Sequence, residues 1–126
     1  MEQVYLFGIA SQRTAWLATR QTLVAENVAN ANTPGYQAKD LASFSEVLAS
    51  TRLDLASSSN MHMASLGGTG DSQDVVTETP WDVTHSGNSV SLEQEMLKAG
   101  EISRAYSLDT SVVKAFHRLL VMSVKG

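Results

Sequence analysis

Cysteine is absent from the 126-residue chain, which removes disulfide staples, zinc–thiolate sites and thiol nucleophiles from consideration. Aromatic residues are scarce at 6%, charged residues make up only 17%, and there are two prolines. With 43% hydrophobic residues the chain has apolar stripes to bury, but it lacks the ring-rich inventory of a thick core. Positive charge is short as well: nine Lys and Arg stand against thirteen Asp and Glu, a net charge of −4. Nucleic-acid affinity rests largely on Lys and Arg neutralising phosphates, so no such partner is expected. Long apolar runs are missing too. The opening stretch Val4 to Ala10 is interrupted by Gly8 and preceded by Glu2, so neither a cleaved signal peptide nor a span of ~20 apolar residues is expected.

What is present lies mainly at the two ends. Leu17, Val24, Val28 and Ala31 recur at steps of seven, four and three, with Trp16 and Leu23 beside them. The spacing predicts an amphipathic helix from about residue 9 to residue 31, roughly 35 Å long. Thr33-Pro34-Gly35 ends it, because proline drives Thr33 out of helical geometry and Pro-Gly suits the centre of a type II turn.

At the other end Ser91-Leu92-Glu93-Gln94 reads as a capping box. Glu93 and Glu95 complement the positive helix terminus, while Lys114, Arg118 and Lys125 crowd the negative one. Ile102, Tyr106, Asp109, Val113, Phe116 and Leu120 then follow at steps of four and three, a heptad-like seam with one polar intruder, Asp109. This second helix is expected over residues 91–125, about 50 Å long.

The middle differs in kind. Residues 36–48 are consistent with one short helix around Leu41, Phe44, Val47 and Leu48. From Ala49 to Asn88 the chain turns to Ser, Thr, Gly and Asp, with Val75–Thr77 and Trp81–Thr84 as short β-like pieces. The expected architecture is therefore mainly α: an N-terminal helical unit (1–33), a variable connecting region (34–90) and a C-terminal helical unit (91–126). The long amphipathic helices pack as a coiled-coil layer, joined by a flexible loop with at most a short β-hairpin. One antiparallel pair covers one stripe per helix, which leaves residues such as Leu119, Val121 and Met122 wet in a monomer. Such apolar surface marks partner sites.

Catalytic constellations do not assemble in the sequence. Asp82, His85 and Ser86 offer the residue types of a hydrolase triad without a nucleophile elbow. Met61-His62-Met63 is a single soft-metal motif in a Ser-rich loop, and Gly67–Gly70 lacks the Lys-Ser/Thr of a phosphate loop. The acidic run Asp71, Asp74, Glu78 and Asp82 has the wrong spacing for calcium and reads as a solvated face. His117 reads as a surface or interface residue. No enzyme, cofactor, metal or small-molecule substrate is expected. The informative polar residues are Asn27, Asn30 and Asn32, poor helix formers near a helix end. Asn27 is read as a bond between helices; for Asn30 and Asn32, register fixing and simple end-capping stand level.

Leu23-Val-Ala-Glu-Asn-Val-Ala-Asn-Ala-Asn-Thr-Pro-Gly-Tyr36 closely resembles the N-terminal signature of the bacterial flagellar rod and hook proteins. Gly87-Asn-Ser-Val-Ser-Leu-Glu-Gln-Glu-Met96 is similar to the start of the C-terminal helix in short proximal-rod members, and Arg104-Ala105-Tyr106 is shared more widely. Asn27, Asn30, Asn32, Thr33, Pro34, Gly35, Tyr36, Gly87, Asn88, Val90, Glu95 and Met96 carry the likeness. The resemblance implies a structural subunit of the proximal rod, or another short rod subunit, exported into the periplasmic rod through the flagellum's type III apparatus. It implies as partners copies of the chain, other rod proteins, the rod adaptor at the membrane ring and the export apparatus. The assembly interface is expected at Leu17, Leu23, Val24, Asn27, Val28, Asn30, Ile102, Tyr106, Val113, Phe116 and Leu120. Phe44 and Leu48 fit a short export-signal pattern, and helix-face packing explains them equally well. A helical adaptor or chaperone of a secretion system is the other reading.

Overall fold

The computed structural model describes residues 2–57 and 74–126. Its elements are α1 (Glu2–Ala29), β1 (Lys39–Leu41), α2 (Phe44–Ser57), β2 (Val75–Thr77) and α3 (Leu92–Lys125). The fold is mainly helical, as expected: α1 and α3, 28 and 34 residues long, pack together, with a two-stranded antiparallel sheet beside them.

Three boundaries differ from expectation. Helix α1 begins at Glu2, well before residue 9, and runs straight through Gly8, a helix penalty of only about 1 kcal/mol. The expected helix over 36–48 is divided. Leu41 closes β1, and a new helix starts at Phe44 behind Ser43. Ser43 and Glu46 form a reciprocal capping box, the Glu46 N–H donating to Ser43 Oγ (3.4 Å) and the Ser43 N–H to Glu46 Oε2 (3.0 Å). Finally, Val75–Thr77 is a strand whose partner is Lys39–Leu41 rather than Trp81–Thr84. Ala38 and Leu41 are buried by this pairing, whereas Trp81 and Val83 after Pro80 remain exposed. The Met61–Met63 and Gly67–Gly70 motifs and Asp71 lie outside the described residues.

Burial divides the molecule unevenly along α1 and α3. Every buried side chain among the described residues falls between Leu17 and Ile102: Leu17, Leu23, Val24, Asn27, Ala38, Leu41, Asn88, Ser89, Gln94, Glu95, Lys98 and Ile102. This part, with the sheet and the turns around it, is called the head. Beyond it, residues 5–16 and 103–126 form a two-helix stalk in which no side chain is fully buried. The stalk is held by Phe7 against Phe116, edge to face at 5.7 Å, and by the charge contact of Arg13 Nε with Asp109 Oδ2 at 3.1 Å. The polar intruder of the seam thus meets a cation, though the pair is not aligned as a hydrogen bond.

Candidate functional site: the polar knot of the head

Two turns face one another at the top of the head. The Tyr36 N–H donates to Thr33 O (3.2 Å) across Pro34-Gly35, with Gly35 at φ 74°, the positive value a type II turn requires at that position. Opposite, the Gly87 N–H donates to Thr84 O (2.9 Å) and the Thr84 N–H to Asn88 O (3.0 Å), with Gly87 at φ 81°. The turns are stitched together by Gly35 N–H to Ser86 O (3.0 Å), Ser89 N–H to Tyr36 O (3.0 Å) and Ala38 N–H to Ser89 Oγ (2.8 Å). A Cβ on Gly87 would meet Gly35 Cα at an ordinary 3.6 Å. Backbone conformation, not space, is therefore what demands glycine there.

Asn88 secures the chain just past the end of α1. Its Nδ2 donates to Asn30 O (2.8 Å) and Thr33 O (2.7 Å), carbonyls of the turns just past the helix that each also accept a backbone N–H, and its Oδ1 accepts from the Val90 N–H (2.8 Å). A side chain from the second half of the chain thus braces the turns that follow a helix in the first half. Asn30 itself stays local, donating to Glu26 O and accepting from Thr33 Oγ1, which is the end-capping alternative. Asn32 is exposed.

Asn27 lies at the centre, with no exposed surface. Its Nδ2 donates to Lys39 O (2.7 Å) and to Glu95 Oε1 (3.2 Å), while its Oδ1 accepts from the Lys39 N–H (3.0 Å) and the Tyr36 hydroxyl (3.3 Å). One amide therefore behaves toward β1 like a neighbouring strand and at the same time ties α1 to α3. Beneath it sits a buried ion triad. Lys98 Nζ lies 2.7 Å from Glu95 Oε1 and 2.6 Å from Glu78 Oε2, and Gln94 Nε2 donates to Glu78 Oε1 (2.6 Å). Gln94 thus serves the triad rather than reaching back to Ser91, so only the Ser91 half of the capping box forms. Burial opposes the Lys98 ammonium, but hydrogen bonds to Glu78 and Glu95 and their charges outweigh it, and the pKa is raised. Glu95 Oε2 is buried without a hydrogen-bond partner among the described residues.

On the flank, Arg20 grips Asp40 through two bonds of 2.9 and 3.0 Å and reaches Glu101 at 3.4 Å. Desolvation lowers its pKa, yet the hydrogen bonds and charges of Asp40 and Glu101 leave it raised. The Trp16 indole N–H donates to Ala42 O (3.0 Å), and Phe44 packs on its ring at 6.0 Å, fixing the start of α2. Asp82, His85 and Ser86 are all exposed. Asp82 bonds its neighbour's N–H and Ser86 the hydroxyl of Thr84. No group of three metal-ligating side chains occurs among the described residues.

The structure brings together Asn27, Tyr36, Gly35, Gly87, Asn88 and Glu95, which are far apart in sequence. It leaves Val28, Met96 and Tyr106 on the surface. Leu17, Leu23, Val24, Asn27 and Ile102, expected at an interface between copies, are buried within this one chain. Reasoning from sequence missed Arg20, Asp40, Glu78, Ser89 and Lys98. Only the Ser43–Glu46 box carried a local signal, whereas Glu78 and Lys98 stand twenty residues apart with no periodicity to link them.

The knot is a structural device joining the two ends of a long-helix subunit, and sequence relatives agree with that class. A family model described as flagella basal body rod protein matches residues 9–37. The flagellar basal body rod protein FlgB of Agrobacterium fabrum is 42% identical, the alignment covering 99% of this chain and 96% of that protein. FlgB of Salmonella typhimurium is 30% identical and that of Escherichia coli 29%, each over 76% of this chain and 75% of theirs. The chain belongs to the FlgB family of flagellar basal-body rod proteins. It is a structural protein and not an enzyme. No described helix is long and apolar enough to cross a membrane.

Proposed function

We infer that this subunit builds the proximal part of the rod by packing its stalk helices against copies of itself and neighbouring rod proteins. The inner coiled-coil layer so formed lines the export channel of the drive shaft. The observation carrying this reading is the stalk. Its apolar residues recur at helical spacing, yet none is buried in the single chain, and Leu108, Leu119, Met122 and Val124 are 60% exposed or more. Burial of about 25 cal/mol per Å2 of such surface is available only from neighbours. The rod adaptor at the membrane ring and the type III export apparatus are the further partners of this reading, which puts the subunit in the periplasmic rod. Phe44 and Leu48, both half-buried at the start of α2, are candidates for an export signal.

Leu120→Asp tests the seam. Leu120 is half-buried and sits in the face expected to close in the rod. An unpaired carboxylate there, repeated in every subunit, is strongly disfavoured. The expected phenotype is a subunit that is secreted but not incorporated, with no hook and no motility. A motile strain would show that this face stays open to water.

A further inference from the structure

The two edges of the small sheet end differently. In its antiparallel register Asp40 faces Val76, with the Ala42 N–H donating to Asp74 O (2.9 Å) and the Glu78 N–H to Ala38 O (2.9 Å). Bonded pairs alternate along such a ladder, so the N–H and C=O of Lys39, Val75 and Thr77 point away from the partner strand. On the β1 side the Asn27 amide takes both groups of Lys39. On the β2 side no group among the described residues bonds the N–H or C=O of Val75 or Thr77. All three residues of β2 are exposed, and none is a lysine, a proline or a charge that would repel another strand. Shortness is the only guard: two outward residues offer two donors and two acceptors.

Apolar surface and charge of one sign accompany this edge. Val75, Val76, Trp81 and Val83 are each 45% exposed or more. Trp81 follows the strand by four residues and so lies within about 15 Å of its end. The stalk, residues 5–16 and 103–126, carries five basic residues and one acidic. Between Arg52 and Lys98, by contrast, the sequence holds no lysine or arginine and seven acidic residues. Asp74 and Asp82, which flank β2 in sequence, are exposed and form no ion pair among the described residues. The basic side chains around the sheet are engaged elsewhere. Lys98 holds Glu78 and Glu95, Arg20 holds Asp40, and Lys39 lies over the Tyr36 ring at 5.9 Å.

We propose that the β2 edge is a docking site for an extended segment of a different polypeptide, one with lysine or arginine beside its apolar residues, which adds to the sheet as a third strand. This rests on the assembly reading above and adds to it one contact and the chemistry of its partner. Such a segment takes backbone bonds from Val75 and Thr77, apolar area from Val76 and Trp81, and charge from Asp74 and Asp82. A second copy does not fit. Two β2 edges paired about a two-fold, Val75 against Thr77, would set Asp74 opposite Glu78 twice, like charge on like. Two outward residues make a weak contact by themselves, and a partner held nearby in the assembly supplies the effective concentration.

Thr77→Pro tests the edge without touching the ladder, because the N–H it removes points outward and an edge strand tolerates proline there. The full chain, isotope-labelled for NMR, is titrated with the synthetic peptide Lys-Val-Thr-Val-Thr-Val-Lys and with the same peptide ended in Glu. At millimolar concentration the lysine peptide should shift the amides of Val75 and Thr77 and the indole of Trp81. The glutamate peptide should bind at least ~10-fold more weakly. Thr77→Pro, with its circular dichroism unchanged, should bind the lysine peptide at least ~10-fold more weakly than the parent. Asp74→Lys with Asp82→Lys, which leaves every backbone bond in place, should reverse the preference between the peptides. Slow exchange of the Val75 and Thr77 amides in the free chain would show an edge already closed and overturn the proposal. So would the absence of a shift, equal binding of both peptides, or a Thr77→Pro chain that binds like the parent. In purified basal bodies Thr77→Cys gives the chain its one thiol, and a short thiol-to-amine cross-linker should join it to a lysine of another protein. Links to second copies alone, or none, sink this contact and leave the assembly reading standing, whereas absence of the parent chain from basal bodies sinks the assembly reading.

Discussion

The head and the stalk are built from the same two helices, yet different forces hold them. In the head, α1 and α3 are separated by a layer of side chains whose polar groups are nearly all spoken for, from Asn27 to Lys98. In the stalk the same helices touch through Phe7, Phe116 and a few half-buried aliphatic residues, with apolar surface left over. The head is specified from within the chain, because a buried polar network tolerates only one arrangement. The stalk is specified only in part, because a single apolar stripe leaves rotation and neighbour choice open.

The division can be broken most severely at Lys98. Lys98→Ala strands Glu95 in the interior without its cation, and a loss of about 3–5 kcal/mol is expected as a lower thermal midpoint. The parallel Lys114→Ala, exposed and unpaired, should stay within about 0.5 kcal/mol. Equal losses would erase the distinction. Asn88→Ala comes next: it removes one of two donors from each of the carbonyls of Asn30 and Thr33 and leaves the half-buried Val90 N–H without its acceptor, at about 1–3 kcal/mol. Faster amide exchange across residues 30–36 should accompany the lower denaturant midpoint, and unchanged exchange would mean that water replaces the clamp.

Alkaline titration sharpens the comparison further. The folded pKa of Lys98 lies above its ordinary value of 10.5, so the stabilisation is complete below that pH. It is then lost as pH climbs through the folded value. The head should lose stability in that window, and Lys98→Met, which has no proton to lose, should flatten that limb of the curve. An unchanged slope would assign the alkaline loss elsewhere. The smallest effect belongs to the stalk. Leu119→Ala, at a residue 61% exposed, should change monomer stability by no more than about 0.5 kcal/mol. Amide protection in a verified monomer should be strong through residues 17–29 and 96–102 and weak toward the stalk tips, the start of α1 and the end of α3. Strong protection to the tips of α1 and α3 would show that the stalk needs no neighbours.

Much of this is legible in the sequence. The steps of three and four at Leu17, Val24, Ile102, Val113 and Phe116 mark helices because a stripe must recur every 3.6 residues to face one side. Thr33-Pro34-Gly35 marks a type II turn because its dihedral angles suit almost nothing else. Ser91 marks a helix start for the same local reason, and the Asn-rich signature led to the correct family. Leu41 closes a strand where the spacing predicts helix, because a strand of three residues carries too short a pattern to compete with the helical spacing around it.

Local chemistry, then, determined the helices, the turns and the membership of the family, since each depends on residues within a few positions of one another. The sequence by itself also determined the unequal charge of the two regions, because charge adds along a chain whatever its shape. Only the tertiary structure decided that Asn27 would act as a strand's neighbour, that Asn88 would brace a turn 58 residues upstream, and that Gln94 would abandon its capping box for Glu78. Those pairings are chosen by which buried group would otherwise go unsatisfied, and burial exists only once the chain has folded.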